Sequence, residues 1–215
     1  MNVAVVYCYP MVNMNKHRPL AEKFARTYRQ FPPGSPCQLY VGCTGGNPLT
    51  SDRNLFEGIP CQFVSTDNDG WDIGLYQWAS ENISCDLMVC LGAYCHFYIP
   101  GWLARMASAF LDRGPALYGC WGYNYPNWHI RTTAFWFPPA LLQSYPHRTT
   151  SARPSRYAFE HGGVSFTRWV LSAGMEANIV SWRGIWDQPE WGKARMGIGD
   201  CLLLDQFTNQ GDTHR

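Results

Sequence analysis

Charged residues are scarce in this sequence. Asp, Glu, Lys and Arg make up 15% of its 215 residues, and the formal net charge is +1. This balance disfavours a nucleic-acid-binding protein that depends on a broadly basic surface, although it is compatible with a local basic patch. No apolar run approaches the ~20 residues that cross a bilayer, and the opening MNVAVVYCYP lacks the basic start of a secretion signal. We expect a soluble, cytoplasmic protein without a membrane span.

Paired cysteines and common hydrolase motifs are also missing. The nine cysteines include no CxxC pair, which a cysteine-based zinc site would need. Cys8, Cys90 and Cys201 lie in apolar runs, which predicts buried free thiols and a reducing compartment. There is no GxSxG or HExxH motif. Thr44-Gly45-Gly46 lacks the full phosphate-loop pattern, so a plain turn is favoured there.

The first half of the chain alternates predicted strands and helices. Four apolar runs, of the kind buried in a parallel sheet, predict strands at residues 3–8, 38–43, 60–66 and 86–91. Helical spacing predicts helices that begin at Pro19, span residues 73–82 and follow Pro100-Gly101. This alternation indicates βαβ units and an α/β fold, with a mostly parallel sheet flanked by helices.

Loops that follow parallel strands share one edge of a sheet. Here they are residues 9–17, 44–48, 66–72 and 93–98. The second half is rich in aromatic residues and has one clear predicted helix, roughly at 163–173, and a polar tail, NQGDTHR. We predict one domain over residues 1–215, with a boundary between its two halves at 118/119.

The densest polar cluster is the loop Asp67-Asn68-Asp69-Gly70-Trp71-Asp72. Its three carboxylates could orient a ribose, hydrogen-bond a base or help to hold a divalent cation through oxygen ligands. The alternative is a solvated turn in which Asp72 caps the following helix. The sequence leaves both interpretations open.

Glu160, in FEHGG, lies directly before the helix predicted at 163–173. A carboxylate there could act as a general base, or it could satisfy the free amides of the helix N-terminus. His129 and Arg131 lie among aromatics in WHIRTTAFWF and could bind a diphosphate. Core packing around a hydrogen-bonded histidine is the alternative for that segment.

Several aromatic side chains cluster in the second half of the chain. Flat apolar rings match the C–H faces of a pyranose, so they could form a sugar-stacking platform; many of the chain's ten tryptophans must instead be core. The candidates are Trp121, Tyr123, Tyr125 and Trp128.

Over roughly residues 2–182, the order of these parts resembles a GT-A-type glycosyltransferase of the broad family-2-like group. The opening VAVVYCYP and the loop TDNDGWDIG are similar to the nucleotide-binding segments of that family. DLMVCLGAYCHFYIPGWLARM is similar to the strand, DxD motif, Pro-Gly turn and helix. YAFEHGGVSFTRWVLSAG is similar to the catalytic-base region, and HIRTTAFWFPPALL to the stretch that faces donor and acceptor.

The resemblance implies a GT-A-like (Rossmann-like) fold, with a nucleotide-binding half at 1–118 and an aromatic-rich acceptor-side half at 119–215. It also implies roles for individual residues. Glu160 would be the catalytic base. Acceptor-binding residues would be Trp121, Tyr123 and His161. Residues that bind the nucleotide sugar would be Tyr7, Tyr9, Asp67, Asp69, Asp72, Tyr94, Cys95, His129 and Arg131.

The sequence departs from the family at its metal-binding motif. Counting back from Pro100, the two aspartates of DxD would fall at Ala93 and Cys95, and neither is a hard oxygen ligand for Mg²⁺ or Mn²⁺. The enzyme could be metal-independent, with Arg131, His129 or Tyr94 stabilising the diphosphate. Alternatively, the aspartates of the 67–72 loop hold the cation, or the domain no longer catalyses. No cofactor is certain, and Mn²⁺ or Mg²⁺ stays open.

The predicted function is transfer of a sugar from a nucleotide-sugar donor to an acceptor hydroxyl. An inverting reaction is favoured over a retaining one, and the reaction could be metal-independent. A glycan or another hydroxyl compound is the expected acceptor. The alternatives are a non-catalytic nucleotide- or glycan-binding domain, and a glycosyltransferase that acts on modified nucleic acid, which the near-neutral charge does not favour.

Overall fold

The computed structural model describes residues 1–194, 199–206 and 208. The predicted tail NQGDTHR lies outside the described residues. The strands are β1 Val3–Pro10, β2 Gln38–Thr44, β3 Cys61–Thr66, β4 Leu87–Leu91, β5 Leu117–Gly119, β6 Gly122–Tyr123, β7 His129–Ile130, β8 Ala134–Phe137, β9 Ala177–Val180 and β10 Ile185–Trp186. The helices are α1 Met14–Gln30, α2 Thr50–Arg53, α3 Trp71–Asn82, α4 Trp102–Arg113, α5 Pro139–Gln143, α6 Arg153–His161 and α7 Phe166–Ser172, with 3-10 turns at Asn54–Phe56 and Gln188–Lys193.

Eight strands form one sheet in the order β10-β9-β5-β8-β4-β1-β2-β3. β1 pairs in parallel with β2 and β4, and β2 pairs in parallel with β3. β8 is inserted between β4 and β5 and is antiparallel to both. The predicted α/β fold with a mostly parallel sheet flanked by helices is confirmed.

Side chains alternate between the two faces of the central strands. In β1, Val3, Val5, Tyr7 and Tyr9 pack on one face, against α1 and α4, while Ala4, Val6 and Cys8 pack on the other, against α3. A strand buried on both faces is a continuous apolar run, which is why β1 and β4 were predictable from sequence. α5, α6 and α7 cover the second face beyond α3.

α1 begins five residues before its predicted start. It runs from Met14, with Asn13 as its N-cap (φ 51°), so Pro19 lies inside the helix rather than at its beginning. The backbone amides of Lys16 and His17 both donate to the Asn13 carbonyl oxygen, at 2.9 and 3.2 Å. The prediction placed Lys16 in a loop, and the structure places it in the first turn of a helix.

The second half contains more regular structure than the sequence indicated. The predicted helix at 163–173 is α7, and it begins at Phe166, where the Ser165 hydroxyl accepts from the Arg168 amide at 3.4 Å. α6 precedes it and was missed; only Phe159 of its nine residues is buried, so few apolar side chains mark it in the sequence. The predicted division at residue 118 falls within β5, and it stays a prediction.

Among the described residues, no helix is both long enough and apolar enough to cross a membrane.

Candidate functional site

The loops at the carboxyl edge of the sheet meet as predicted. The Met11 amide donates to the Thr44 carbonyl oxygen, and the Gly45 amide donates to that of Thr66, both at 2.9 Å. The Gly92 amide donates to the Thr133 carbonyl oxygen at 2.7 Å. Because β8 runs in the opposite direction to β4, the residues that precede it, 129–133, also lie at this edge.

Glu160 is held by hydrogen bonds from Thr132, in the segment that precedes β8. Its Oε1 accepts from the Thr132 hydroxyl at 3.1 Å and from the Thr132 amide at 3.4 Å. Its Oε2 lies 3.8 Å from Nδ1 of His161, and 20% of the Glu160 side chain is exposed. One carboxylate oxygen is therefore anchored, and the other accepts no hydrogen bond from the described residues.

The predicted position of Glu160 directly before a helix is wrong. It lies in the last turn of α6, which ends at His161. The alternative role, satisfying the amides of a helix N-terminus, is therefore wrong as well. A carboxylate in a last turn faces the negative end of the helix dipole, so its bonds to Thr132, rather than its own helix, stabilise it there.

Each carboxylate of the acidic loop has a partner within the protein. Asp67 Oδ1 accepts from the Asp69 amide at 3.1 Å, and Asp69 Oδ1 accepts from the Ser151 amide at 2.7 Å. Asp72 forms an ion pair with Arg156, with 3.5 Å between Oδ1 and Nε. The predicted cap at Asp72 is wrong, because Gly70 (φ 76°) is the N-cap of α3.

The acidic loop fixes the segment that leads into α6. The Trp71 indole donates to the Ser151 carbonyl oxygen at 3.1 Å, and a Cβ on Gly70 would lie 2.6 Å from the Thr149 carbonyl oxygen. These contacts, together with the Asp69 bond to Ser151, dock residues 149–151 on the loop. The loop therefore positions Glu160 indirectly, through α6.

Asp72 lies in a low-dielectric environment. Burial raises the pKa of its carboxyl above the ordinary value; the Arg156 guanidinium opposes that shift, and the Glu160 carboxylate adds to it. Asp72 in turn raises the pKa of Arg156. Arg156 thus lies between two acidic groups and links the 67–72 loop electrostatically to Glu160.

The residues at the expected metal position do not fit Mg²⁺ or Mn²⁺. Ala93 has no ligand atom, and the buried Cys95 thiol donates to the Thr133 carbonyl oxygen at 3.1 Å. Burial raises the pKa of Cys95 well above its usual value, so it remains a neutral thiol. Over residues 1–194, 199–206 and 208, no group of three or more His, Cys, Asp or Glu side chains could hold an ion.

Arg131 lies at the same edge and is already engaged. Its guanidinium donates to Oδ2 of the buried Asp205 at 3.0 Å and lies 5.5 Å from the ring centroid of Trp121. Trp121 is buried and its ring packs against Arg131, so it is not part of an exposed sugar-stacking platform. The predicted donor and acceptor roles of these two residues stay predictions.

A chain of ring contacts adjoins Glu160. The ring centroids of Tyr123 and His129 are 6.0 Å apart, those of His129 and His161 are 5.1 Å apart, and those of His161 and Tyr157 are 3.6 Å apart. The histidines are largely buried, whereas Tyr123 is 42% exposed and Tyr157 is 51% exposed. Burial lowers the pKa of His161. Tyr157 was missed because α6 was not predicted.

Tyr7 and Tyr9 are fully buried supports of the edge. The Tyr7 ring stacks on Phe24 at 3.7 Å, and its hydroxyl donates to the Ala93 carbonyl oxygen at 3.2 Å. The Tyr9 hydroxyl donates to Asp52 at 3.0 Å, and Arg18 also pairs with that carboxylate. Neither side chain reaches the surface, so their donor-binding role stays a prediction.

Tyr94 is half-buried, and Lys16 Nζ lies 5.3 Å from its ring centroid.

No protein-family model and no curated protein matches this sequence. Solved structures do match. A mannosyltransferase from Pyrobaculum calidifontis, in complex with GDP-Man and Mn²⁺, is similar at a TM-score of 0.60 and 16% identity, over 81% of this chain. This chain covers only 53% of that protein.

Two further similar structures are nucleotidyltransferases by name. A putative glucose-1-phosphate thymidylyltransferase from Bacillus anthracis has a TM-score of 0.52 and 11% identity, over 80% of this chain and 84% of its own. A cytidylyltransferase from Leptospira borgpetersenii has a TM-score of 0.51 and 15% identity, over 75% and 68%. The chain therefore has the GT-A-like, Rossmann-like fold that these transferases share.

Proposed function

We propose that this chain is a glycosyltransferase that moves a sugar from a nucleotide-sugar donor to an acceptor hydroxyl. The observation that carries the proposal is Glu160, with Oε1 fixed by Thr132 and Oε2 open at the carboxyl edge of a GT-A-like sheet. Ligands of open α/β sheets bind outside this edge. The similar mannosyltransferase was solved with GDP-Man, which agrees with a nucleotide-sugar donor.

In the proposed reaction, Glu160 Oε2 takes the proton of the acceptor hydroxyl. The acceptor oxygen forms a bond to the anomeric carbon as the bond from that carbon to the diphosphate oxygen breaks. The electron pair of the broken bond leaves with the nucleoside diphosphate. A single displacement of this kind inverts the anomeric configuration, and holding both reactants at one edge supplies the proximity that the step needs.

The location of Glu160 itself indicates function. A carboxylate in the last turn of a helix opposes the helix dipole, and a local conflict of this kind is expected at functional sites more than elsewhere. Here the conflict is compensated by two hydrogen bonds from a different segment. A purely structural role would be served as well by a neutral side chain.

We assign the acceptor to the ring-lined surface beside Glu160. Tyr123 and Tyr157 are exposed there, and the His161 and His129 rings join them. Aromatic faces suit the C–H faces of a pyranose, so we propose a glycan acceptor. The guanidinium of Arg156 beside this surface is paired with Asp72, and the net charge is only +1, which does not favour a nucleic-acid acceptor.

We assign the donor to the loops at residues 44–48, 67–70 and 92–95, at the same edge. Gly45 bonds to Thr66 and lies against Asn68, and Gly92 bonds to Thr133, next to the Thr132 that holds Glu160. All nine cysteines are free thiols, as expected for a reducing compartment, and we propose a cytoplasmic location on that basis.

The released product tests the proposed function. The chain would be incubated with a panel of nucleotide sugars and simple glycosides, and the phosphate product would be identified by chromatography. We expect the nucleoside diphosphate together with a glycosylated acceptor. Pyrophosphate as the product would instead show a nucleotidyltransferase, and the absence of any turnover across the panel would favour a binding domain.

Thr132 should act as a positioning residue for Glu160. Thr132→Val keeps the shape of the side chain but removes the hydroxyl bond to Oε1. A hydrogen bond to a charged group is worth about 1.5–3 kcal/mol, so we expect kcat to fall by at least about 10-fold, with little change in KM for the donor. Thr132→Ser should recover most of the loss in steady-state assays. An equal loss in both variants, or a change confined to KM, would refute this role.

A further inference from the structure

Lys16 lies beside the segment in which the metal-binding motif of the resembled family would fall. The early start of α1 puts it in the first turn of that helix, at the carboxyl edge of β1. Its Nζ lies 5.3 Å from the ring centroid of Tyr94. Tyr94 stands between Ala93 and Cys95, whose side chains do not fit a divalent cation. A positive charge is therefore present at this position without a metal site.

Three arginines near this edge are neutralised by carboxylates. Arg18 pairs with Asp52 at 2.5 Å, Arg131 pairs with Asp205 at 3.0 Å and Arg156 pairs with Asp72 at 3.5 Å. Within the described part of the chain, Lys16 pairs with no carboxylate. The first turn of α1 contains no acidic residue either. The charge of Lys16 is therefore available to an anion.

The chemistry of the proposed transfer requires such a charge. Negative charge accumulates on the diphosphate as the glycosidic bond breaks, and a preorganised cation stabilises it. A lysine supplies a compact charge and three donors on a flexible stem. The Tyr94 ring attracts the ammonium through a cation–π interaction, so it holds the side chain at the edge of the sheet while its donors stay free.

We propose that Lys16, held by the Tyr94 ring, binds the diphosphate of the donor in place of a divalent metal ion, so that donor binding and transfer are metal-independent. This inference rests on the proposed glycosyltransferase function. It assigns the neutralising role to a residue outside the DxD position.

Calorimetric titration with nucleoside diphosphates tests the proposal. UDP, GDP, dTDP and CDP would be titrated into the wild-type chain in EDTA and in Mn²⁺, and the best ligand would then be titrated into the variants. We expect the wild-type Kd to differ by less than about 2-fold between EDTA and Mn²⁺. Lys16→Gln should weaken binding by about 10- to 100-fold, as expected for the loss of a charged contact, and Lys16→Arg should retain most of it.

The matched control is Lys23→Gln, which removes the same charge two turns further along α1 and should leave the Kd unchanged. If Lys16→Gln bound the nucleoside diphosphate with wild-type affinity, the role of Lys16 alone would be overturned. The same would follow if the wild-type chain required Mn²⁺ to bind it. Failure of the wild-type chain to bind any nucleoside diphosphate in either buffer would overturn the proposed function and this inference with it. Circular dichroism of Lys16→Gln would confirm that the variant is folded.

Discussion

Replacing Glu160 by Gln should reduce kcat for sugar transfer by about 10²- to 10⁴-fold, the usual contribution of a general base. The amide retains an oxygen that can accept from Thr132, so the fold and the position of the side chain should be preserved. It cannot take the proton of the acceptor hydroxyl. Donor affinity should change little, because the donor is assigned to the loops at residues 44–48, 67–70 and 92–95 rather than to Glu160.

Steady-state kinetics and donor titration together separate these effects. Glu22→Gln, on the exposed side of α1, is a matched control and should retain wild-type turnover. Unchanged turnover in Glu160→Gln would exclude the residue as the base. A parallel loss of turnover and donor affinity would instead indicate a binding role. A non-catalytic domain would show donor or glycan binding with no turnover in any variant.

Replacing Trp136 by Ala should strongly lower the free energy of unfolding. Trp136 is fully buried in β8, and its ring stacks on Tyr118 at 5.8 Å between centroids. Truncating a buried tryptophan costs about 3–5 kcal/mol. For a chain of this size, each kcal/mol lowers Tm by roughly 2–4 °C, so we expect a fall of roughly 6–20 °C.

Denaturant unfolding followed by circular dichroism would measure this loss. Leu111→Ala provides the control, since Leu111 is 70% exposed on α4 and should change the free energy of unfolding by no more than about 0.5 kcal/mol. Similar free energies of unfolding for Trp136→Ala and Leu111→Ala would contradict the buried, central position of β8. That position matters to the site, because β8 directly follows the segment that holds Glu160 and the Cys95 thiol.

The first half of the fold was predictable because its signals are local. β1 and β4 are buried on both faces, so each appears as an unbroken apolar run. The order of strands and helices then placed their following loops at one edge, and the structure confirms this. The start of α1 was less predictable, because a proline ahead of a helical pattern predicts the first turn of a helix, whereas the chain accommodates Pro19 within the helix.

The second half was less predictable because long-range contacts form it. β8 has four residues and is antiparallel between two parallel strands, an arrangement that no local pattern specifies. α6 buries a single side chain, so few apolar residues mark it in the sequence. Glu160 and the acidic loop were recognised as candidates, but their connection through residues 149–151 depends on the tertiary fold.

The contacts that give the site its chemistry were the hardest to predict. Thr132 lies 28 residues from Glu160 in sequence, and Lys16 meets Tyr94 only because α1 starts at Met14. The absence of aspartates at Ala93 and Cys95 was visible in the sequence, but the bond of the Cys95 thiol to the Thr133 carbonyl oxygen was not. Lys16, the residue proposed to neutralise the donor diphosphate in place of a metal ion, could be named only from the structure.

The most direct test of the proposed function is to locate the nucleotide-sugar site by backbone amide NMR of the 24.5 kDa chain. We predict that the donor, added in EDTA, shifts amide resonances in the carboxyl-edge loops at residues 44–48, 67–72 and 92–98. A cavity of about 410 Å³ at the opposite edge, lined by residues including Asn2, Gln38 and Cys85, is the competing location. Shifts confined to that cavity, or no shifts with any nucleotide sugar, would contradict the account.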